Sequence, residues 1–129
     1  MSALSNYAED LVANVLLRGY SHTGPATVYA ALHTADVTDA GTGTECSYFG
    51  YARKVATFNT PSNGATSNQG QIDFAANGSG SAVVVTHVAV WDALTSGNLL
   101  FHATLTTSKT LQPGDVLSFA IGALQITLQ

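Results

Sequence analysis

Charged side chains are scarce in this chain. Only 9% of its 129 residues are Asp, Glu, Lys or Arg, whereas about 25% is usual in a soluble domain. The four Lys and Arg residues cannot supply the row of phosphate contacts on which nucleic-acid affinity depends. Hydrophobic residues make up 46% and the formal net charge is −4, which excludes disorder, because disorder requires low hydrophobicity with high net charge. The composition predicts a folded protein without a nucleic-acid partner.

Cysteine and long apolar runs are also nearly missing. The single cysteine, Cys46, excludes an intramolecular disulfide framework and a cysteine-based zinc site. No apolar run approaches the length of about 18 residues that a membrane-spanning helix requires. The amino-terminal segment lacks the basic start and the uninterrupted apolar stretch of a secretory signal. We therefore expect no membrane partner and a protein that stays where it is synthesised.

Motifs for catalysis and cofactor binding are absent as well. The sequence has no Gly-x-Ser-x-Gly nucleophile elbow, no phosphate-binding loop and no Cys–His pair. His87 and His102 lie on neighbouring predicted strands and could share a metal ion, but two ligands do not define a site. Asp36, Asp39 and Glu45 do not match the spacing of a calcium loop, and turn formation explains them better. The sequence predicts a protein that is not an enzyme and has no cofactor or metal.

One amphipathic helix is predicted at the amino terminus, over residues 2–18. Its apolar residues recur three and four positions apart and so share one face: Leu4, Tyr7, Ala8, Leu11, Val12, Val15 and Leu16. Ser2 or Asn6 could cap its start, and Gly19 stands where a left-handed residue commonly ends a helix. We expect this face to contact the rest of the domain or another subunit.

The remainder of the chain has the short β-branched and aromatic runs that are typical of strands. Strands are predicted at residues 28–33, 51–58, 71–74, 82–91, 99–106, 116–121 and 124–128. The run 82–91 is apolar on both faces, so it should be a central strand covered by a second sheet and by the helix or another subunit. Stretches 34–50 and 60–70 are predicted to be long loops that reach partners.

These elements predict an all-β, mainly antiparallel fold. Antiparallel pairing follows because no helices connect the strands, whereas a parallel sheet would need a crossover helix for each strand. A β-sandwich of jelly-roll or Greek-key type over residues 28–128 should pack beside the helix. No internal repeat or linker divides the chain, so residues 1–129 should form a single domain.

Two features are candidate partner interfaces. The first is the apolar helix face, represented by Leu4, Leu11 and Val15. The second is an aromatic cluster of Tyr48, Phe49 and Tyr51. This cluster could receive a sugar or a subunit, and ordinary core packing is the alternative. The low charge supports an interface, because charged residues are depleted at interface cores.

Several segments of the chain resemble a family of short virion proteins that carry the name phage tail fibre protein. Besides the N-terminal helix, the similar segments are 31–43 (ALHTADVTDAGTG), 51–53 (YAR), 86–93 (THVAVWDA) and 114–119 (GDVLSF). The resemblance extends over nearly the whole chain. Val37 stands where the family pattern has Pro, and segment 46–50 replaces a stretch that is mostly Ser and Gly. The resemblance implies a non-catalytic structural subunit of a tailed phage.

Within a virion, a compact chain without shaft repeats favours a capsid cement or decoration protein. The alternative is a small tail, tail-fibre or baseplate component that attaches to the host and could bind glycans. Such a protein would contact copies of itself, most simply as a homotrimer, and the major capsid protein or, in the alternative, tail proteins. The resemblance implies a place in the virion after assembly in the host cytoplasm.

Overall fold

The computed structural model describes residues 2–128. Its elements are β1 Ser2–Leu4, α1 Asn6–Arg18, β2 Val28–His33, β3 Lys54–Ala56, β4 Ala65–Ser67, β5 Ile72–Asp73, β6 Val83–Trp91, β7 Leu99–Leu111, β8 Ser118–Phe119 and β9 Gln125–Thr127. The strands form a five-stranded sheet in the order β1-β7-β6-β2-β3 and two two-stranded sheets, β4-β9 and β5-β8. All these pairings are antiparallel. The predicted all-β, mainly antiparallel fold with one helix is therefore confirmed.

Strand β6 is central in the large sheet, as predicted from its doubly apolar sequence. It pairs with β2 on one side and with β7 on the other. Val85 and Val88 belong to the main core, whereas Ala89 belongs to a second cluster on the opposite face. Both faces of the strand are thus covered, which explains why apolar residues occur at both alternations of its sequence.

The main core lies between one face of the large sheet and the small β5-β8 sheet with its neighbouring segments. Its buried residues are Ala30, Leu32, Cys46, Tyr48, Ala56, Ile72, Phe74, Val85, Val88, Leu111, Leu117 and Leu124. They come from strands β2, β3, β5, β6 and β7 and from the segments that follow them. Removal of this apolar surface from water is the main force that holds the β5-β8 sheet on the large one.

The opposite face of the large sheet is covered by residues 34–44, which we call the 34–44 loop. Val37 is fully buried there against Ala89 and Leu99, with Trp91 beside them. The sequence predicted that the helix or another subunit would cover this face, whereas within the single chain the 34–44 loop covers it. A loop can do so because a single apolar side chain, Val37, fills the contact while polar loop residues stay exposed.

The predicted start of the helix is also wrong, because residues 2–4 form β1 instead. β1 pairs with residues 101–103 of β7. Ser5, rather than Ser2 or Asn6, caps the helix: its Oγ accepts a hydrogen bond from the backbone N–H of Ala8 at 3.1 Å and donates to the carbonyl of Leu99. Gly19 ends the helix in the left-handed conformation, with φ 66°, as predicted.

The remaining strands differ from the prediction mainly in length. β3, β5, β8 and β9 are shorter than predicted, whereas β7 continues to Leu111. β4 was missed, because its three residues lie in the stretch predicted as loop 60–70. β4 follows a tight turn at Asn63 and Gly64, which both have positive φ, and this turn brings Ser62 and Ala65 into a bridge.

Asn68, which is fully buried, connects β4 to the segment that precedes β9. Its amide group donates to the carbonyls of Gly70 and Ala120, at 2.8 and 3.0 Å. Its Oδ1 accepts from the backbone N–H of Leu124 at 2.8 Å. One side chain thus satisfies three backbone groups that neither small sheet pairs internally.

We expect Asn68→Ala to lower the free energy of unfolding by about 2–3 kcal/mol, because it removes the side-chain partners of the Gly70 carbonyl and the Leu124 N–H; the Ala120 carbonyl still accepts from the N–H of Ala123. Urea unfolding measures this change. The matched control is Asn59→Ala, which removes an exposed amide that bonds Ser67 and should cost less than about 0.5 kcal/mol. Equal losses in the two variants would contradict the role assigned to Asn68.

Candidate partner interface

Helix α1 is anchored to the sheet at its start. The backbone N–H of Ser5 donates to the carbonyl of Leu100 at 3.0 Å, and that of Asn6 donates to the carbonyl of Asp39 at 2.9 Å. Ala8 is the buried residue of the helix. The end of the helix therefore extends away from these anchoring contacts and leaves its apolar side chains accessible.

The predicted helix face is only partly covered by the body of the protein. Leu4 and Leu11 are half-buried, whereas Val15 is exposed. Leu16 and Leu17 are the most accessible, at 75% and 83%. We call Val12, Val15, Leu16 and Leu17 the apolar helix surface. Leu17 was absent from the predicted face, because its direction around the helix lies outside the stripe that the other residues share.

The chain remains exposed after the helix, from Gly19 to Thr27. Tyr20 at the beginning of this segment is 59% exposed. The apolar helix surface and Tyr20 therefore form a stretch of large apolar side chains that the chain does not bury. Accessible apolar groups concentrated in one element mark an interaction site more often than isolated ones do.

The predicted aromatic cluster is not a surface patch, and this part of the interface prediction needs correction. Tyr48 is buried, and its hydroxyl donates to the carbonyl of Ala75 at 2.7 Å. Tyr51 contacts Tyr48 edge to face, with 5.4 Å between the ring centroids, and stacks parallel to Phe74 at 6.3 Å. Phe49 alone is exposed, at 80%, because it lies in a turn that the backbone N–H of Tyr51 closes by donating to the carbonyl of Tyr48 at 2.9 Å.

Tyr51 also belongs to a polar network that the sequence did not reveal. Its hydroxyl donates to Oε2 of Glu45 at 2.7 Å and accepts from the backbone N–H of Leu32 at 3.0 Å. Burial alone would raise the pKa of the Glu45 carboxyl, but the bonds from Arg53 and Tyr51 lower it below its ordinary value. Burial and the Glu45 carboxylate raise the pKa of Tyr51. Glu45 is thus ionised and Tyr51 neutral at physiological pH.

Arg53 is the centre of this network. Its guanidinium binds Glu45 through two nitrogens, each at 2.9 Å from a carboxylate oxygen. Its third nitrogen donates to the carbonyls of Ala93 and Ser96, at 2.9 and 2.8 Å. The guanidinium carbon lies 4.3 Å from the centre of the Trp91 ring, within the range of a cation–π contact. All its donors serve the fold, so the network connects the turn after β6 to the sheet.

Three histidines share the sheet face beneath the 34–44 loop. His33 lies opposite His87 in the β2–β6 pairing, and His102 lies opposite Ala89, two residues along from His87. The sequence suggested that His87 and His102 could face each other across neighbouring strands. They do not, because His102 lies opposite Ala89. Nε2 of His102 is 2.8 Å from Oδ1 of Asp39, and Nε2 of His87 is 4.0 Å from Oδ1 of Asp36.

His33 differs from the other two because it is fully buried, at 1% exposure. Neither of its ring nitrogens makes a hydrogen bond of ordinary geometry among residues 2–128, although the carbonyl of Gly43 lies close enough to favour the protonated ring. Burial lowers its pKa, and nearby Arg53 acts in the same direction, while Glu45 and the carbonyl of Gly43 oppose the shift. His33 is therefore neutral at physiological pH.

The described part of the chain offers little chemistry for catalysis. Residues 2–128 contain no group of three or more His, Cys, Asp and Glu side chains placed to hold a metal ion. A groove of about 420 Å³ runs between β7 and residues 117–125, and Lys109 is the one ionisable side chain in its lining. Burial raises the pKa of the Cys46 thiol to about 11, so Cys46 is a weak nucleophile. No helix within residues 2–128 has the length and apolar character to cross a bilayer.

Sequence comparison decides the family. The model of the family described as "Podophage GP4 fiber I protein gp80" matches residues 3–127. The chain belongs to this family. It is therefore a bacteriophage structural protein of a fibre family and a component of the virion, and the resemblance seen in the sequence motifs is confirmed. No curated protein matches the chain.

Proposed function

We propose that the chain is a non-catalytic building block of a phage fibre, and that it acts by associating with further copies of itself through helix α1. The apolar helix surface is the observation that carries this proposal. Four large apolar side chains are accessible on one short helix, in a chain whose composition is only 9% charged. The family match supports the fibre, because the matched family is described as a fibre protein.

The energetics of the helix favour association. Burial of a leucine or valine side chain contributes about 1.5–3 kcal/mol. The single chain does not gain this stabilisation, because the side chains of the apolar helix surface are exposed to water. A closed symmetric assembly places the same surface of each subunit around one axis. We propose a homotrimer, in which three helices contact one another along that axis, bury Val12, Val15 and Leu16, and place Leu17 at the edge of the contact.

A second candidate is a capsid cement or decoration protein that binds the major capsid protein. The arrangement of one five-stranded sheet and two small sheets, with no shaft repeat in the sequence, favours this candidate. The stabilisation from each weak contact would add up over the many copies on the capsid lattice.

In the fibre proposal the partners are tail proteins. Phe49, the exposed member of the predicted aromatic cluster, would be the side chain available to contact a host glycan. In either candidate, assembly would take place in the host cytoplasm.

Two aspects of the fold also remain predictions. The two-layer core is compatible with a jelly-roll or Greek-key sandwich, and the absence of a linker in the sequence is compatible with a single domain. Both would suit a building block, because a rigid unit loses little conformational freedom when it associates.

Light scattering of the purified chain tests self-association. We expect a mass near 40 kDa, three times the 13.3 kDa of one chain. A mass of one chain at tens of micromolar protein would contradict association through the helix.

Copy number in purified virions separates the two candidates. Quantitative mass spectrometry should find a few to a few dozen copies of a fibre component, and particles without it should keep filled heads but fail to adsorb to cells. Hundreds of copies per particle, with loss of packaged DNA on heating when the protein is absent, would overturn the fibre proposal in favour of the cement protein.

A further inference from the structure

Asp39 ties the start of helix α1 to the large sheet. Its carbonyl accepts the backbone N–H of Asn6, the first residue of the helix, at 2.9 Å. Its carboxylate lies 2.8 Å from Nε2 of His102 on β7. Asp39 therefore adds a contact from the 34–44 loop to the bonds by which Ser5 anchors the helix on β7, and the Asn6 amide is held only while this loop stays on the sheet.

The 34–44 loop lies against the sheet through one apolar and two polar contacts. Val37 fills the apolar contact, and Asp39 and Asp36 approach His102 and His87. Within the loop, Gly43 packs so tightly that a Cβ atom there would lie 2.3 Å from the carbonyl oxygen of Asp36. The loop thus has a defined closed conformation.

His33 lies at the end of β2, where the 34–44 loop begins, and is covered in this closed conformation. The charged groups around His33 are Arg53 and Glu45, and the backbone of Glu45 forms an isolated β-bridge with that of His33. His87 lies opposite His33 in the β2–β6 pairing. The Trp91 ring stacks on it at 6.3 Å, and its indole nitrogen also has no partner among residues 2–128. Glu45 is already bonded by Arg53 and Tyr51. A proton added to His33 would therefore place a second cation beside Arg53 without contact to water.

We propose that the 34–44 loop is an acid-released latch on the first turn of helix α1, in which protonation of buried His33 opens the loop and Asp39 then releases the Asn6 amide. A buried imidazolium without contact to water is costly, and lifting the loop gives it that contact. The proposal rests on the proposed function, because it regulates the element through which the subunits would associate.

The sign of the pH dependence follows from the direction of the pKa shift. Because the pKa of His33 is lowered in the closed state, the open state binds more protons as the pH falls below about 6.5, the value of an accessible histidine. The closed state is therefore at full stability above about pH 6.5 and loses stability as the pH falls from there toward the lowered pKa. On the same argument, the opening equilibrium should increase from about pH 7.5 to about pH 5.5, by at most about tenfold.

Hydrogen exchange of the Asn6 backbone amide in the full chain tests this latch, because that amide is the donor to Asp39. After correction for the intrinsic pH dependence of exchange, the wild-type opening equilibrium should rise over this pH interval, by at most about tenfold. His33→Phe, which cannot be protonated, should remove the rise. His22→Phe is the matched control, since His22 is exposed, and it should retain the rise. No rise in the wild type, or an equal rise in His33→Phe, would overturn the proposal.

A second variant keeps the test informative if His33→Phe does not fold. Asp39→Asn removes the carboxylate that faces His102 but preserves the backbone carbonyl, so Asn6 exchange should increase about tenfold at neutral pH. Unchanged protection of the Asn6 amide would contradict the role of Asp39 as its anchor.

Light scattering on the same samples separates the latch from self-association. A monomer at every pH whose Asn6 amide still responds to acid would refute self-association alone. A trimer without that response would refute the latch alone.

Discussion

Replacement of Arg53 by alanine should lower the free energy of unfolding by about 3–5 kcal/mol, the range found when one partner of a buried ion pair is removed. The side chain of Arg53 is 7% exposed and that of Glu45 is 27% exposed. The substitution leaves the Glu45 carboxylate without its cation and the carbonyls of Ala93 and Ser96 without their donor. It also removes the guanidinium from the face of Trp91. Urea unfolding at neutral pH measures the effect.

Two controls separate this network from the general loss of a positive charge. Arg18→Ala removes an exposed arginine that bonds Asn14 one helical turn away and should change stability by less than about 0.5 kcal/mol. Arg53→Lys should fall between wild type and Arg53→Ala, because an ammonium cannot reproduce the paired bonds of a guanidinium. Equal stability of Arg53→Ala and Arg18→Ala would show that the network contributes nothing.

The pH dependence of the Arg53→Ala effect provides a further check. Because the network lowers the pKa of Glu45, its stabilisation is fully present above the ordinary carboxyl range and is lost as the pH falls through the lowered pKa. The difference between wild type and Arg53→Ala should therefore shrink in acid. A difference that stays constant to about pH 2, below the ordinary carboxyl pKa of about 4.3, would indicate that packing rather than charge accounts for the loss.

The secondary-structure elements that could be predicted are those whose conformation follows from their own local residue pattern. The run 82–91 has apolar residues at both alternations, and a central strand is the arrangement that buries both sets. Helix α1 was recognised from the spacing of its apolar residues and from Gly19. Its start was misplaced because Leu4 continues the helical spacing, while the pairing of residues 2–4 with β7 depends on a strand about a hundred residues away.

The site was less accessible to prediction, because its contacts join distant parts of the chain. Glu45 and Arg53 meet only after β2 and β3 have paired, and Arg53 reaches Ala93 across the sheet. Asp39 was interpreted as a turn residue, and its contacts with Asn6 and His102 depend on the whole topology. One signal was available for the aromatic cluster: Gly50 favours a turn there, which separates exposed Phe49 from buried Tyr48 and half-buried Tyr51.

The double substitution Leu16→Lys/Leu17→Lys should abolish self-association while the subunit stays folded. Both leucines are more than 70% exposed in the single chain, so lysine loses little there, and a positive charge near the end of a helix is favourable. In a trimer, the same positions would bring six cations together on one surface, and the burial of both leucines would be lost. Because each leucine contributes about 1.5–3 kcal/mol, association should weaken at least about a hundredfold.

A matched variant is Leu94→Lys/Val116→Lys, which adds the same charge at two exposed apolar positions away from the helix. It should retain the wild-type mass in light scattering, whereas Leu16→Lys/Leu17→Lys should have the mass of one chain and an unchanged circular dichroism spectrum. If both variants dissociate, net charge rather than the helix governs association. If neither dissociates, the apolar helix surface contacts something other than a second copy, and the major capsid protein and tail proteins become the partners to test in virion assembly, where the helix variant alone should fail to incorporate.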